Sequence, residues 1–276
     1  MARQGKIMTS TDTVFTGSIP ALYDRYLGPL LFEPYARETA ARLADLKAGA
    51  LLETAAGTGI VTSMLAERLP AAVDIVATDL NQAMLDFAGA KPGLARVRLR
   101  QADALALPFE DGIFDAVVCQ FGAMFFPDRV QGYREAHRVL RPGGRAAIAI
   151  WDSLAHNPMT RCVVDAMAAR FPADPPRFLA RTPHGHFDQK VIRAELAEAG
   201  FDRVAIDVVT LPSRAPSHRD PAIGLCQGTP MRGEIEARAP QGLAAATDAA
   251  AEALAREYGE GPIEAPMQAL LIAAGK

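Results

Sequence analysis

An α/β fold built on a mostly parallel sheet is predicted by three stretches of this 276-residue chain. Residues 50–53 form a short apolar run that ends in Glu53, and a turn of small residues, Thr-Ala-Ala-Gly-Thr-Gly, follows it. Helical spacing then takes over across 60–69, and a second apolar run, 73–78, ends in Asp79. A third run, 114–119, reads as a buried strand leading into Gln120 and Phe121. A strand, a tight turn and a helix make the first half of a nucleotide-binding βαβ unit.

The turn narrows the ligand. Asp79 stands 20 residues beyond Gly59, the distance at which a carboxylate meets a ribose hydroxyl pair. A dinucleotide pyrophosphate needs three glycines at G-x-G-x-x-G spacing, because the backbone must approach the phosphates closely. Here Gly57 and Gly59 are followed by Thr62, which argues against an NAD-dependent oxidoreductase. Glu53 at the strand tip would repel phosphate and accept hydrogen bonds from an ammonium group. A ligand with adenosine at one end and a zwitterionic amino acid at the other fits better. S-adenosylmethionine is such a ligand.

The remaining elements follow in order. Residues 95–100 alternate as a strand, with Gln-Ala-Asp-Ala at 101–104 behind it, and 107–112 make a turn before the 114–119 strand. A helix over 128–140 runs into Arg-Val-Leu-Arg-Pro-Gly-Gly at 138–144, a stop signal, before a strand over 146–151. Helical spacing returns over 158–170, prolines cluster at 172, 175 and 176, and 188–199 is an amphipathic helix stopped by Gly200. Residues 201–209 alternate as a strand, and 210–242, rich in Pro, Gly and Ser, reads as a long irregular insertion with one helix near 221–226. Such insertions in compact domains are usually lids or binding loops. A helix over 243–258 and a last strand over 267–274 complete the chain.

Across residues 20–152 this ordered set resembles the class I S-adenosylmethionine-dependent methyltransferases, in particular the bacterial group related to the ubiquinone/menaquinone C-methyltransferases (methyltransferase type 11). The residues that carry the resemblance are 53–59, Asp79, Asp103 and Ala104, the 108–119 block and 138–144. Ala55 stands where that family most often has its first glycine, and 25–28 lack the Met-Asn pair of the quinone enzymes. The resemblance implies a Rossmann-like, seven-stranded, mostly parallel sheet flanked by helices, with an antiparallel terminal strand pair and a small helical cap. The expected division is an N-terminal helical cap (1–45), an S-adenosylmethionine-binding core (46–209), an insertion over the acceptor site (210–262) and a closing strand (263–276).

The same resemblance assigns the S-adenosyl-L-methionine site. Glu53 would accept from the methionine ammonium, directly or through water, with Ala55, Gly57 and Gly59 giving the backbone approach. Asp79 would take both ribose hydroxyls. Asp103 would accept from the adenine amino group beside the Ala104 N–H, or else cap the following turn. Leu80 and Met84 would sandwich the adenine, although their spacing equally suits core packing. Gln120, Phe121 and Phe126 would lie beside the sulfonium, whose charge aromatic faces favour. Tyr23, Asp24 and Tyr26 resemble the family's helix that closes over the donor.

The chemistry implied is in-line displacement on a small-molecule acceptor. No general base can be named; His156, after the 146–151 strand, is the candidate, against the plainer reading of an exposed loop residue. His218 in the insertion is placed to border the acceptor, with Arg214 and Arg232 to orient it and Ile223, Leu225 and Met231 to shield it. His184 and His186 lack a third ligand at suitable spacing, so no metal is expected, and His137 reads as a surface residue. A net charge of −3 gives no basic footprint for nucleic acid. No apolar run approaches the ~20 residues of a membrane span, and 1–18 lack the apolar core of a secretory signal. Three widely spaced cysteines read as reduced thiols of a cytoplasmic protein. A homodimer stays open. The rival readings are a quinone-type C-methyltransferase and, from another class, a non-catalytic S-adenosylmethionine-binding protein.

Overall fold

A computed structural model describes Asp12, Phe15 and residues 17–276. The secretory-signal expectation for 1–18 therefore lies almost wholly outside the described residues. Seven strands form one sheet in the order β3-β2-β1-β4-β5-β7-β6. β1 (Gly49–Glu53), β2 (Val73–Asp79), β3 (Arg98–Gln101), β4 (Phe114–Gln120) and β5 (Leu140–Trp151) run parallel, and β7 (Ile263–Gly275) is antiparallel to both β5 and β6 (Arg203–Ala215). Chain order reverses between β1 and β4, so the loops leaving their carboxyl ends diverge and open a crevice there.

The described part of the N-terminal cap holds three consecutive helical elements: α1 (Ile19–Leu22), a π-helical run (Tyr23–Phe32) and α2 (Glu33–Ala41). The π turn has a local cause. Pro29 lies inside it, and a proline ring collides with the carbonyl four residues back in an α-helix. The widened turn relieves that contact, and Glu33 N bonds to Gly28 O. Tyr35 Oη pins α2 to the sheet, its single proton shared between Val209 O at 2.8 Å and Met267 O at 2.9 Å.

α3 (Ile60–Arg68) and α4 (Gln82–Gly89) follow β1 and β2, and α5 (Arg129–Val139) links β4 to β5. Asp128 caps α5 by accepting from Gln131 N at 2.9 Å, the N-cap chemistry its side chain favours. Beyond β5 come α6 (Pro158–Arg170), α7 (Phe178–Arg181) and α8 (Gln189–Glu198), then α9 (Arg219–Gln227), α10 (Met231–Arg238) and α11 (Leu243–Tyr258). The helices after β6 pack on α6 and on the N-terminal π run.

Four sequence expectations need correction. β3 begins at Arg98 rather than 95, because Leu94 O accepts from Val97 N in a turn and the Arg96 guanidinium is spent on the carbonyls of Ala66, Leu69 and Val73. β5 begins at Leu140, not 146: Leu140 pairs with Phe114 and Arg145 with Ala116, so 141–144 bulge out of a continuous strand. β6 and β7 are both longer than expected, pairing without interruption from Arg203↔Gly275 to Ala215↔Ile263. The 210–242 segment is not irregular, since it holds the end of β6 and two helices that bury Leu225, Met231 and Ile235.

Candidate active site

The crevice between the β1 and β4 loops holds a cavity of about 470 Å³. The turn after β1 forms its floor. Thr54 N donates to Val118 O at 2.8 Å and Ala56 N to Thr78 O at 2.9 Å, which ties the turn to both neighbouring strands. Ala55 and Gly57 reach the cavity with φ of +53° and +57°. A side chain at Gly57 would project into open space, whereas one at Gly122, opposite, would meet Ala55 Cβ at 2.4 Å. The floor therefore needs small residues on both loops.

Asp79 ends β2 at the cavity edge and is buried. Its Oδ2 accepts from Gly57 N at 2.9 Å and its Oδ1 from Asn81 N at 2.8 Å, so one carboxylate braces two turns. Burial raises its pKa, and those backbone bonds oppose the shift. Leu80, Met84, Asp103 and Ala104 line the adjoining wall. Asp103 Oδ1 also accepts from Leu105 N at 2.9 Å, so it caps the turn while facing the cavity. Leu80 is 48% exposed, and Met84 is buried.

On the opposite wall stand Tyr23, Gln120 and Phe121. The Gln120 amide is committed to the N-terminal cap: its Oε1 accepts from Thr39 Oγ1 at 2.9 Å and its Nε2 donates to Phe32 O at 3.1 Å. Phe121 has φ of +55°, a costly conformation for an aromatic residue, and stacks on Trp151 with centroids 3.8 Å apart. Among the described residues only Ala55 and Phe121 are non-glycine residues with positive φ, and both line this cavity. Burial, with Asp79 and Asp24 nearby, raises the Tyr23 pKa, so its hydroxyl stays protonated.

Two expected residues stand behind the wall. Gly59 begins α3 with φ of +79°, where a Cβ would press on Ala88 Cβ at 3.0 Å, so it serves helix packing. Glu53 is 1% exposed, and its Oε2 is buried with no hydrogen-bond partner among the described residues. Burial pushes its pKa up to about 8, with the Thr62 hydroxyl opposing and Asp79 reinforcing the shift.

A smaller cavity of about 70 Å³ shares Phe15, Tyr23, Phe121 and Phe125 with the main one. His184 lines it, which sequence reasoning missed by pairing this residue with His186 as a metal candidate. The two histidines part company: His184 Nδ1 lies 2.7 Å from Asp152 O, while His186 Nε2 is 3.1 Å from Glu195 Oε2 on α8. Phe126 lines the main cavity as expected, and Phe15 and Phe125 join it unanticipated. Their only signal in sequence is an aromatic next to Phe126 or near the N-terminus.

Other expected residues fall away from both cavities. His156 is exposed on a short 3-10 turn, Leu154–His156. Arg214 pairs with Glu264, Arg232 with Glu236, and His218 Nδ1 contacts Glu260 O, and none of the three lines either cavity. Asp24 is bound by Lys91, and Tyr26 lies under the Arg25 guanidinium. His137 is not a free surface residue; it packs edge-on against Phe201.

Fold and site together define a Rossmann-like α/β protein with a ligand crevice at its switch point. A methyltransferase domain model matches residues 52–148. The ubiquinone/menaquinone biosynthesis C-methyltransferase UbiE of Ectopseudomonas mendocina (strain ymp) is 33% identical over 174 residues, 58% of this chain and 68% of that protein. The protein of the same name from Geotalea uraniireducens (strain Rf4) is 39% identical over 104 residues, 36% of this chain and 44% of that protein. The chain thus spans under half of the latter's length. Among solved structures, phosphoethanolamine N-methyltransferase 2 of Haemonchus contortus superposes with a TM-score of 0.60 at 16% identity, over 98% of this chain and 60% of that one. YcgJ of Bacillus subtilis gives 0.55 at 18% identity, over 88% and 98%. These two likenesses establish the fold. The chain belongs to the class I S-adenosylmethionine-dependent methyltransferases.

Proposed function

We propose that this protein moves a methyl group from S-adenosylmethionine to a small-molecule acceptor. The observation that carries the reading is the Asp79 carboxylate, buried at the switch-point cavity and braced by Gly57 N and Asn81 N. It retains acceptor capacity for a pair of vicinal hydroxyls. A volume of about 470 Å³ is within the range of sites for ligands of this size. Glu53 Oε2 is a buried polar atom with no partner among the described residues, in want of a hydrogen bond.

When bound, S-adenosylmethionine supplies an electrophilic methyl on a sulfonium. The chain's own residues bind, orient and exclude water. Asp79 accepts from the ribose, Asp103 from the adenine amino group, and Leu80 and Met84 give the adenine its apolar faces. Glu53, set behind the turn, acts on the ammonium end through water. Gln120 locks the N-terminal cap over β4, while Tyr23, Phe121 and Phe126 present rings to the sulfonium end. Positioning alone can supply about 7–11 kcal/mol in favourable cases.

The names of the curated relatives favour a second reading, a quinone-type C-methyltransferase. The three free thiols, Cys119, Cys162 and Cys226, support a cytoplasmic setting. No helix among the described residues is long and apolar enough to cross a membrane. Turnover of methyl-labelled donor to S-adenosylhomocysteine with a metabolite panel tests the reading, and the labelled product names the acceptor atom. A protein that binds donor yet turns over none of the panel, quinols included, would refute it.

A further inference from the structure

The side cavity resting against Phe121 carries a chemical signature of its own. Its walls are mainly apolar, from Leu27, Phe32, Phe178 and Leu225, and among the described residues no acid, lysine or arginine lines it. The Thr229 hydroxyl is spent, donating to Leu225 O at 2.7 Å. His184 is different. A carbonyl can only accept, so the 2.7 Å contact with Asp152 O fixes the proton on Nδ1. The ring's other nitrogen, Nε2, then carries a lone pair, and no described residue bonds to it.

The Asp152 carbonyl is itself held in place. Asn157 Nδ2 donates to it at 3.2 Å, and Gln268 Nε2 holds the Asp152 carboxylate at 2.7 Å. The tautomer is therefore set by the loop leaving β5 rather than by solvent. Burial pushes the His184 pKa down to about 4, so the ring stays neutral near pH 7.

We propose that this side cavity selects the methyl acceptor and that His184 Nε2 accepts a hydrogen bond from a neutral hydroxyl on an otherwise apolar, aromatic acceptor. The inference rests on the methyltransferase reading above. A carboxylate or phosphate would meet a lone pair with no cation to offset it, and an ammonium would find no counter-charge. The rings of Phe32, Phe121, Phe125 and Trp151 offer flat walls to an aromatic body. At about 70 Å³ the cavity is smaller than the ~150 Å³ that accommodates benzene. It thus takes the hydroxyl-bearing edge, and the rest of the acceptor lies along Phe15 and Phe125 in the main cavity.

Trp151, the only tryptophan in the chain, lines this pocket with its ring 5.9 Å from that of His184 and reports occupancy directly. Protein saturated with S-adenosylhomocysteine is titrated with phenol, toluene and anisole, following Trp151 fluorescence. Phenol should bind at least tenfold more tightly than toluene or anisole, neither of which has a proton to donate. His184→Leu should lose that tenfold preference, with S-adenosylhomocysteine affinity changed less than twofold. Equal binding of the three probes to the wild type, or no Trp151 response to phenol, overturns the proposal without recourse to any variant. Retention of the preference in His184→Leu also overturns it. Failure of S-adenosylhomocysteine to bind at all would instead strike the donor assignment.

Discussion

Replacing Asp79 with alanine is the sharpest test of the donor site. The carboxylate is 7% exposed, and each oxygen already accepts one backbone N–H, at 2.8 and 2.9 Å, leaving lone pairs for ligand hydroxyls. A hydrogen bond to a charged group contributes about 1.5–3 kcal/mol net, so two hydroxyl contacts place the loss on the order of 3 kcal/mol or more. That is at least about a hundredfold in Kd. Stability should move far less. The variant strands the N–H groups of Gly57 and Asn81, but it also removes a carboxylate whose raised pKa marks a cost of burial. Asp103→Ala is the internal control. Asp103 is exposed and keeps a capping bond to Leu105 N, so its loss should weaken binding only about fivefold. Calorimetry with S-adenosylhomocysteine, alongside thermal melts, measures both. Binding by folded Asp79→Ala within threefold of the wild type would refute the adenosine assignment.

Three further outcomes are expected. Gly57→Val should abolish donor binding in a chain that still folds, since the new side chain projects into the cavity at φ +57°; normal titration with donor would make the turn purely structural. Glu53 keeps its proton up to about pH 8 when folded but loses it near 4.5 when unfolded, so rising pH favours unfolding across that window. That loss is about 3–4 kcal/mol between pH 5 and 8; Glu53→Gln should flatten it in denaturant titrations, and an unchanged slope would exclude Glu53 as its source. Leu225→Phe, which fills part of the side cavity from α9, should cut methyl transfer at least tenfold with donor affinity unchanged. An undiminished rate would remove α9 from the acceptor site.

The strand-tip side of the main cavity was legible because its residues line the crevice where they stand in sequence. Asp79 ends a strand, and Ala55 and Gly57 form the turn after one, so strand periodicity places them at the crevice. Glu53 obeys the same rule yet faces inward, since the pleat alternates and the next residue turns the chain. The segment after β6 was less readable. Residues 210–242 look irregular because prolines and glycines interrupt helical spacing, but Gly224 is there for contact. A Cβ at that position would meet Leu27 Cδ2 at 2.5 Å, so the glycine allows α9 to lie against the N-terminal π run. That approach depends on two segments about 200 residues apart, which no local pattern encodes.

His184 shows what spacing alone could not read. Two histidines with one residue between them suggest a shared ligand, but the 182–185 turn aims them at different partners. One meets the loop leaving β5 and the other meets α8. The same tertiary logic explains the strain at Phe121. Its left-handed backbone costs about 1–2 kcal/mol, which stacking on Trp151 and the bond from Phe121 N to Ala149 O offset. A relaxed backbone at Phe121 would swing its ring off Trp151 and out of the wall that both cavities share. Ala55, strained in the same sense on the facing loop, lies so close to Gly122 that a Cβ there would meet its own at 2.4 Å. The two left-handed residues thus face each other across the floor and wall of one cavity, where the proposed methyl transfer would take place.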